Sequence, residues 1–352
     1  MKKDTLFSGC LFSFHYLFAS WMGYGKMRGN DGFFEGSMRV KKTRMLTEGA
    51  MLAAVFGVML LVALHVPVIR IIVLVFLPLP FILFCAKYPL RSILVFCLVC
   101  LLVSAIMGTV MAIPMAVFFG CIGFVMGYAI QLKKSKLFIY IATSLAFLAV
   151  TIIGLFAALK LFHLNIIAEN LNIMQQSIEQ SKSLVNSLGE PQAYEDRFAQ
   201  MADAASQMYS VYLPSLLLLS AFIAVLVLIS VDFPIAKRFG VPVPSFPPFR
   251  EMRLPGNILW YFILAMAANL LMRGDTGSFF AKAVLNLMLI FQILILLQGY
   301  AFISFVSHEK KWPKGLLAIA VILSIMFSPL LYLVMIFGIM DLGFDFRRMI
   351  QK

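Results

Sequence analysis

Residues 164–188 read LNIIAENLNIMQQSIEQSKSLVNSL and are followed by the turn signal Gly189-Glu190-Pro191. The positions on one face of an α-helix recur at steps of three and four, and all of them except Ser181 are apolar. The series is Leu164, Ile167, Leu171, Met174, Ile178, Val185 and Leu188. A second series of this spacing runs from Tyr194 to Tyr212. Two such helices joined by a Gly/Pro turn predict an antiparallel helical hairpin over 164–210.

The chain as a whole is far more apolar than a soluble protein. Its 352 residues are 62% hydrophobic and 13% charged, with a mean hydropathy of +0.96. Soluble domains are about half apolar and about a quarter charged. Apolar runs of roughly 20 residues recur without the alternation of membrane β-strands. The composition therefore predicts an all-α, polytopic helical membrane protein with an extracytoplasmic helical hairpin, because a backbone in lipid must satisfy its own hydrogen bonds.

Nine apolar runs predict membrane spans. They lie at about 47–65, 68–86, 89–107, 109–131, 137–162, 211–233, 257–272, 280–307 and 315–341. Five of them form a first membrane block, residues 38–163, and four form a second block, residues 211–352, with a proline-rich loop at 234–255. Pro67, Pro78 and Pro80 predict a kinked or broken second span, and Pro329 lies near the middle of the last one.

The distribution of Lys and Arg predicts the orientation. Most of them fall in the segments that are cytoplasmic when the N-terminus is cytoplasmic, as the positive-inside rule requires of a bacterial plasma-membrane protein. The hairpin is then outside, and the net charge of +13 follows the membrane rather than a nucleic-acid partner. Arg347, Arg348 and Lys352 do not fit, because nine spans put them outside. Eight spans therefore remain an alternative.

Residues 1–37 differ from the rest and predict a poorly structured extension. Met1-Lys2-Lys3 and the apolar residues after it resemble a weak signal sequence, yet a basic cluster that should stay inside follows at Arg39–Arg44. We hypothesise that the native start is Met38, which would begin an ordinary cytoplasmic N-terminus.

The first span carries small residues four apart. One series is Gly49, Ala53 and Gly57, and the other is Ala50 and Ala54. Small residues let a second helix approach closely. That helix is either a partner protein docking on this span or another helix of this chain, and the spacing favours neither.

Polar groups near the ends of the spans are the candidates for a ligand site. His65, Arg70, Lys160, His163 and Arg273 are placed to ring a pocket open to the outside for a small molecule. Snorkelling of each long basic side chain is the alternative. Asn286, Gln292 and Gln298 line the eighth span. Hydrogen bonds between helices explain Asn269, Asn286 and Gln292 without a ligand.

The C-terminal motif contains Asp341, Asp345, Arg347 and Arg348. On a helix, Asp341, Asp345 and Arg348 form an ion-pair ladder, while paired carboxylates are also able to hold Mg²⁺. No second acidic cluster, phosphate loop or nucleophile–His pairing accompanies them in the sequence. We therefore expect a structural role, with no catalytic residue, metal or cofactor, and a protein that is not an enzyme.

Three stretches carry a family resemblance. They are Thr47-Glu-Gly-Ala-Met-Leu-Ala-Ala, the second span with Leu79-Pro80, and Gly338–Arg348. Together they resemble the YybS-like family of bacterial multi-pass membrane proteins, a domain of unknown function. That family is distantly similar to the S-components of energy-coupling-factor transporters, which dock a transmembrane partner through an Ala-xxx-Ala motif in the first helix. The resemblance implies this role for Ala50 and Ala54.

Two functions follow as expectations. The first is a small-molecule binding or uptake component resembling a transporter S-component. The second is an interaction or scaffold protein of the cell envelope that acts through the external hairpin. In both, the surroundings include the lipid bilayer, and other membrane proteins are expected to bind at the first span or at the hairpin.

Overall fold

The computed structural model describes residues 34–108, 112–161, 163–187, 193–272, 277–313, 315–344 and 346–350. The regular secondary structure within these ranges is helical and includes no strand, so the predicted all-α fold class is confirmed. The chain divides into two units, residues 1–48 and 49–352. Each unit is described by itself.

The helices follow the order of the apolar runs. They are α1 (Phe34–His65), α2 (Arg70–Phe76), α3 (Leu79–Cys85), α4 (Leu90–Met107), α5 (Ala112–Gln131), α6 (Lys136–Leu161), α7 (Ile166–Ser187), α8 (Ala193–Arg238), α9 (Asn257–Leu271), α10 (Phe279–Glu309), α11 (Leu316–Met326), α12 (Ser328–Phe344) and α13 (Phe346–Ile350). A short 3₁₀ turn, Phe249–Glu251, lies between α8 and α9.

The first unit is represented by the start of α1. There Arg44 Nε donates to Glu48 Oε1 at 2.9 Å, one turn along the helix. The expected N-terminal extension, residues 1–37, lies mostly outside the described residues, of which Phe34 is the first. The hypothesis that translation starts at Met38 therefore stays a prediction.

Six described helices are long and apolar enough to cross a membrane. They are Thr43–His65, Leu90–Met107, Ala112–Gln131, Lys136–Lys160, Tyr209–Arg238 and Phe279–Glu309. The other three predicted spans correspond to the shorter apolar stretches Arg70–Cys85, Asn257–Leu271 and Pro329–Phe344. The span count of nine is therefore not confirmed.

The second predicted span is broken, as its prolines predict. Helix α2 ends at Phe76, and α3 starts at Leu79 with Pro78 as its N-cap and Pro80 in its first turn, where the missing N–H has no intrahelical partner to lose. The two pieces differ in environment. No residue of α2 is buried, whereas every residue of α3 from Pro80 to Cys85 is buried.

Helix α3 is enclosed by aromatic side chains from its neighbours. The Phe81 ring meets Phe56 of α1 and Phe96 of α4 edge to face, with centroids 5.1 and 5.5 Å apart. The ring of Phe84 stacks on Phe96 at 4.3 Å. Such pairs contribute about 0.5–1.5 kcal/mol beyond the area they bury. This cluster therefore fixes a helix of seven residues that is too short to cross a membrane alone.

Glycines on α5 let α3 approach it closely. A Cβ added at Gly123 would lie 2.6 Å from the carbonyl oxygen of Pro78, and one at Gly127 would lie 2.6 Å from Cys85 Cβ. Both distances are shorter than any van der Waals contact. These two glycines therefore serve packing within the chain.

Helices α7 and α8 occupy the region of the predicted hairpin. They pack against each other, and Ile167, Leu171, Met174 and Ile178 form the less exposed face of α7. The turn at Gly189-Glu190-Pro191 lies outside the described residues. Helix α8 runs without interruption from the second arm into the sixth predicted span, whereas α6 and α7 are separated at His163, where φ is +53°.

Helix α8 also extends further than its prolines suggest. Pro234 predicts the end of the span at residue 233 and the start of the loop at 234, but the helix continues to Arg238. A proline inside a helix removes one backbone hydrogen bond and crowds the preceding turn, which neighbouring helices tolerate in membrane proteins. The irregular part of the loop therefore begins after Arg238 rather than at 234.

The last predicted span is broken near Pro329. Helix α11 ends at Met326, Phe327 adopts an extended conformation with φ −124° and ψ 100°, and α12 begins at Ser328. Helix α12 packs closely on α10, since a Cβ added at Gly299 would overlap the Val334 carbonyl and one at Gly338 would overlap the Ile295 carbonyl.

Candidate functional site

A buried polar cluster joins three distant parts of the chain. Its centre is Asp341 on α12, which has no exposed surface. Arg347 on α13 binds it through both Nε and Nη2, with the shortest distance, 2.7 Å, from Nη2 to Oδ2. The side chain of Arg347 is 9% exposed. This geometry makes the pair a buried salt bridge with several hydrogen bonds rather than a surface contact.

Gln298 connects this pair to α10 and to the proline-rich segment. Its Nε2 donates to Asp341 Oδ2, and its Oε1 accepts the backbone N–H of Leu254 at 3.0 Å. Gln298 is completely buried. Both ends of the amide are therefore used, which a buried amide needs in order not to destabilise the fold.

The remaining donors of Arg347 hold the segment before α9. Nη1 donates to the carbonyl of Arg250 at 2.7 Å, and Nη2 donates to the carbonyl of Met252 at 3.0 Å. The guanidinium carbon also lies 5.3 Å from the ring centroid of Phe305. One side chain thus binds two backbone carbonyls, a carboxylate and an aromatic face.

The cluster differs from the predicted C-terminal ladder. The acidic partner of the described arginine is six residues before it, because α12 ends at Phe344 and α13 turns Arg347 back toward Asp341. Asp345 lies outside the described residues, and so does the side chain of Arg348. Every described buried polar atom of the cluster has a hydrogen-bond partner. The cluster of Asp341, Arg347 and Gln298 therefore holds segments of the chain together, and we call it the clasp.

The two small-residue series of the first span have different surroundings. A Cβ added at Gly49 would lie 3.1 Å from the Phe84 ring, and one at Gly57 would lie 3.0 Å from Val103 Cγ1. Ala53, between them, is buried. Ala50 and Ala54 are exposed. The first series is therefore occupied by α3 and α4, and the second remains on the surface of the chain.

The residues of the predicted outward pocket lie near turns. Nδ1 of His65 hydrogen-bonds with the Leu61 carbonyl, and Arg70 donates to the carbonyls of Ala63 and Leu64. These two residues flank the turn between α1 and α2. Lys160 and His163 are exposed around the break after α6, and Arg273 is outside the described residues. The pocket stays a prediction.

Asn286 confirms the prediction of hydrogen bonds between helices. Its Oδ1 accepts the N–H of Ser215, and its Nδ2 donates to the carbonyl of Val211 at 2.6 Å. Pro214 removes one N–H from α8 in this turn, so the amide binds backbone groups next to a proline. A cleft of about 160 Å³ lies close by, lined by Tyr212, Leu285, Met288, Leu289 and Gln292. Pockets that bind drug-sized ligands have volumes of about 300 Å³ or more, so this cleft is small.

Asp232 is a buried ionisable group that is not among the candidates drawn from the sequence. It has no exposed surface, and neither carboxylate oxygen has a hydrogen-bond partner within the described part of the chain. The sequence signal was present, because Val225, Ile229, Asp232 and Ala236 recur at steps of four, three and four. A carboxyl group in such a stripe faces the protein interior. Pro234 predicts that the span ends at residue 233, and this prediction puts Asp232 at the end of the span rather than on its buried face.

Metal binding by side-chain clusters finds no support in the part of the chain that the structure describes. No group of three or more His, Cys, Asp or Glu residues there is arranged to hold a metal ion. The cysteines Cys85 and Cys100 are buried in the helix core as free thiols.

The helices and buried clusters define a multi-pass helical membrane protein. A family described as "Predicted membrane protein (DUF2232)" matches residues 54–342, so the chain belongs to that family. The chain is also 28% identical over 313 residues to a Bacillus subtilis (strain 168) protein described as "Uncharacterized protein YybS". This similarity covers 89% of the chain and 100% of that protein. No solved structure matches the chain.

Proposed function

We propose that this protein is a small-molecule binding or uptake component of the bacterial plasma membrane. The observation that carries the proposal is that one apolar segment before α7 and one after it are interrupted. The first breaks at Leu77–Pro78 and the second at Phe327. Many transporters bind substrates where two discontinuous helices expose backbone groups at membrane depth.

The surroundings of the first interruption support this interpretation. Irregular backbone within a membrane is tolerated where protein or a water-filled cavity covers it. Leu77 is completely buried, and the Pro78 carbonyl faces Gly123 of α5. The break is thus held in a fixed position by a neighbouring helix, as a binding site requires.

The exposed alanines of α1 support a partner in the membrane. Ala50 and Ala54 lie on the surface, while Gly49 and Gly57 of the other series pack against α3 and α4 of this chain. The resemblance to transporter S-components, which is motivated by these same alanines, suggests a transmembrane energy-coupling partner. In this proposal the protein binds and does not chemically transform its ligand.

The contact of Arg347 with the Arg250 and Met252 carbonyls supports an even number of crossings. With the N-terminus cytoplasmic, the segment around Arg250 is cytoplasmic by its positive charge. A C-terminus on that same side requires eight crossings rather than nine. Maleimide labelling of single cysteines placed at residues 252 and 350 tests this, and labelling from opposite sides of the membrane contradicts it.

Mass spectrometry of the purified protein tests the main proposal. The protein is isolated from bacterial membranes in mild detergent, denatured, and its released small molecules are compared with those from an unrelated multi-pass protein. We expect at least one enriched metabolite and, in the same preparation, a co-purifying membrane protein. Ala50→Leu with Ala54→Leu should lose the partner and keep the metabolite. Val55→Leu, an exposed position about a quarter-turn round the same helix from Ala54, is the matched control. Recovery of neither metabolite nor partner contradicts the proposal.

A second candidate is an envelope scaffold that acts through the external hairpin. The observation in its favour is the exposed face of α7, which carries Glu169 and Glu179 while the apolar stripe is half-buried. Deletion of 166–206 tests it by cross-linking in whole cells. The scaffold role predicts loss of cross-linked partners, whereas an unchanged set of partners contradicts it.

A further inference from the structure

Asp232 occupies a part of α8 whose other inward residues are apolar. Ile229, Phe233 and Ala236 around it are all buried. An isolated carboxylate in such surroundings costs many kcal/mol, and so buried carboxylates are paired with a positive charge or are neutral. Asp232 has neither a hydrogen-bond donor nor an ion-pair partner among the described residues.

The helix pair α6 and α8 concentrates this kind of unsatisfied group. Within the described residues, the buried side-chain oxygens without a partner belong to Thr143 and Ser144 on α6 and to Asp232 on α8. The two helices pack against each other. Native proteins leave few buried polar atoms unpaired, and each such atom indicates a specific role. The ionisable group among them is Asp232.

A lysine of α6 that lies close to Phe233 of α8 contacts aromatic rings. Lys136 on α6 places Nζ 4.2 Å from the ring centroid of Phe246 and 5.3 Å from that of Phe233. Its charge therefore rests on two aromatic faces. Tyr140, one turn further along α6, donates its hydroxyl to the Phe222 carbonyl at 3.1 Å.

Among the described residues, the other helices packed against α8 bring no counter-charge to Asp232. Arg70 of α2 binds two carbonyls of α1, and α3 brings the buried thiol of Cys85. Glu169 and Glu179 of α7 are exposed. Helix α10 reaches α8 through Asn286 at Ser215, which is about 25 Å from Asp232 along the helix, and Lys282 lies beside Asn286. The charged residues His308 and Glu309 at the end of α10 are exposed.

We propose that Asp232 is the binding site of an exchangeable monovalent cation, either a proton or Na⁺, between α6 and α8. Both ions supply the single positive charge that the buried carboxylate lacks. Charged groups at membrane depth mark proton and ion pathways in pumps and transporters. The site does not depend on the proposed small-molecule function.

Infrared difference spectroscopy of the protein in lipid nanodiscs tests this site. The carbonyl stretch of a protonated carboxyl group is recorded at low and high pH, with Na⁺ and with a large organic cation in its place. If the ion is a proton, we expect a band that titrates with pH, is insensitive to Na⁺, and disappears in Asp232→Asn. If the ion is Na⁺, the band disappears when Na⁺ is added. Both outcomes support the proposal and separate its two forms.

Asp341→Asn is the matched control, because Asp341 is equally buried but ion-paired. The band should remain in this variant. If Asp232→Asn fails to fold, Asp232→Glu retains a carboxyl group and should shift the band rather than remove it. The proposal is overturned if wild-type protein has no protonated-carboxyl band assignable to residue 232 at any pH and Na⁺ leaves its spectrum unchanged.

Discussion

Asp232 and Asp341 are both completely buried, yet their surroundings differ in every other respect. Asp341 accepts hydrogen bonds from Arg347 and Gln298, and the same arginine also binds the segment before α9. Asp232 has no hydrogen-bond partner in the described structure. One aspartate therefore has its counter-charge built into the fold, and the other requires one from outside the described side chains.

This difference separates a structural role from a binding role. A buried ion pair with all its hydrogen bonds fixes the relative position of the segments it joins, and removing either partner leaves an uncompensated charge. A buried carboxyl group without a partner fixes nothing, but it is free to exchange an ion. The described part of the C-terminal motif, Asp341 with Arg347, thus has the geometry of a structural contact, whereas Asp232 is the better functional candidate.

Removing the arginine should have the largest effect. Arg347→Met deletes the charge but keeps much of the volume, so Asp341 is left buried and unpaired, and the free energy of unfolding should fall by about 3–5 kcal/mol. Unfolding in mixed detergent micelles measures this. Arg250→Met is the control, because only the backbone carbonyl of Arg250 binds Arg347. If both variants lose the same stability, the contacts of Arg347 do not stabilise the fold as proposed.

Neutralising the two aspartates compares them directly. Asp341→Asn removes a charge that Arg347 needs and should cost about 1–3 kcal/mol. Asp232→Asn removes no described interaction and should therefore change stability less than Asp341→Asn does. Thermal unfolding of both variants in one detergent tests the difference. Equal losses would mean that Asp232 has a structural partner.

The sequence predicted the class of fold and most of the long helices because apolar length is a strong local signal. It also predicted the break at Pro78 and the interhelical hydrogen bonds of Asn286, since both depend on local chemistry. The span count was not predictable in this way. Helices as short as α3 are stabilised by aromatic neighbours far along the chain, such as Phe56 and Phe96.

The candidate site was less predictable, because its partners are distant in sequence. Arg347 and Arg250 are 97 residues apart, and Gln298 and Asp341 are 43 apart. Helical spacing predicts a ladder from Asp341 to Arg348, but the helix ends at Phe344, and this end redirects Arg347. Asp232 was missed for a different reason. Pro234 is a general signal for a helix end, and packing overrides it here.

The close crossing of α10 and α12 supports the clasp and should be sensitive to one methyl group. A Cβ at Gly338, one turn before Asp341, overlaps the Ile295 carbonyl, so Gly338→Ala should force the helices apart and cost about 1–3 kcal/mol. Gly154→Ala on α6 is the matched control, because nothing lies within 4 Å of its Cβ. Similar stability of the two variants would show that α10 and α12 pack loosely.

The smallest expected change in stability is that caused by removing the hydroxyl of Thr143. Whether stability rises or falls shows whether this hydroxyl has a partner. A buried hydroxyl without a partner destabilises the fold, so the isosteric Thr143→Val should leave stability unchanged or raise it by up to about 1 kcal/mol. Unfolding is measured in buffers with Na⁺ and without it. A loss of stability that appears only with Na⁺ would show that the hydroxyl influences ion binding in the α6–α8 pair. A loss of equal size in both buffers would instead show that Thr143 has a hydrogen-bond partner. The buried polar groups of the α6–α8 pair would then resemble those of the Asp341 cluster more closely.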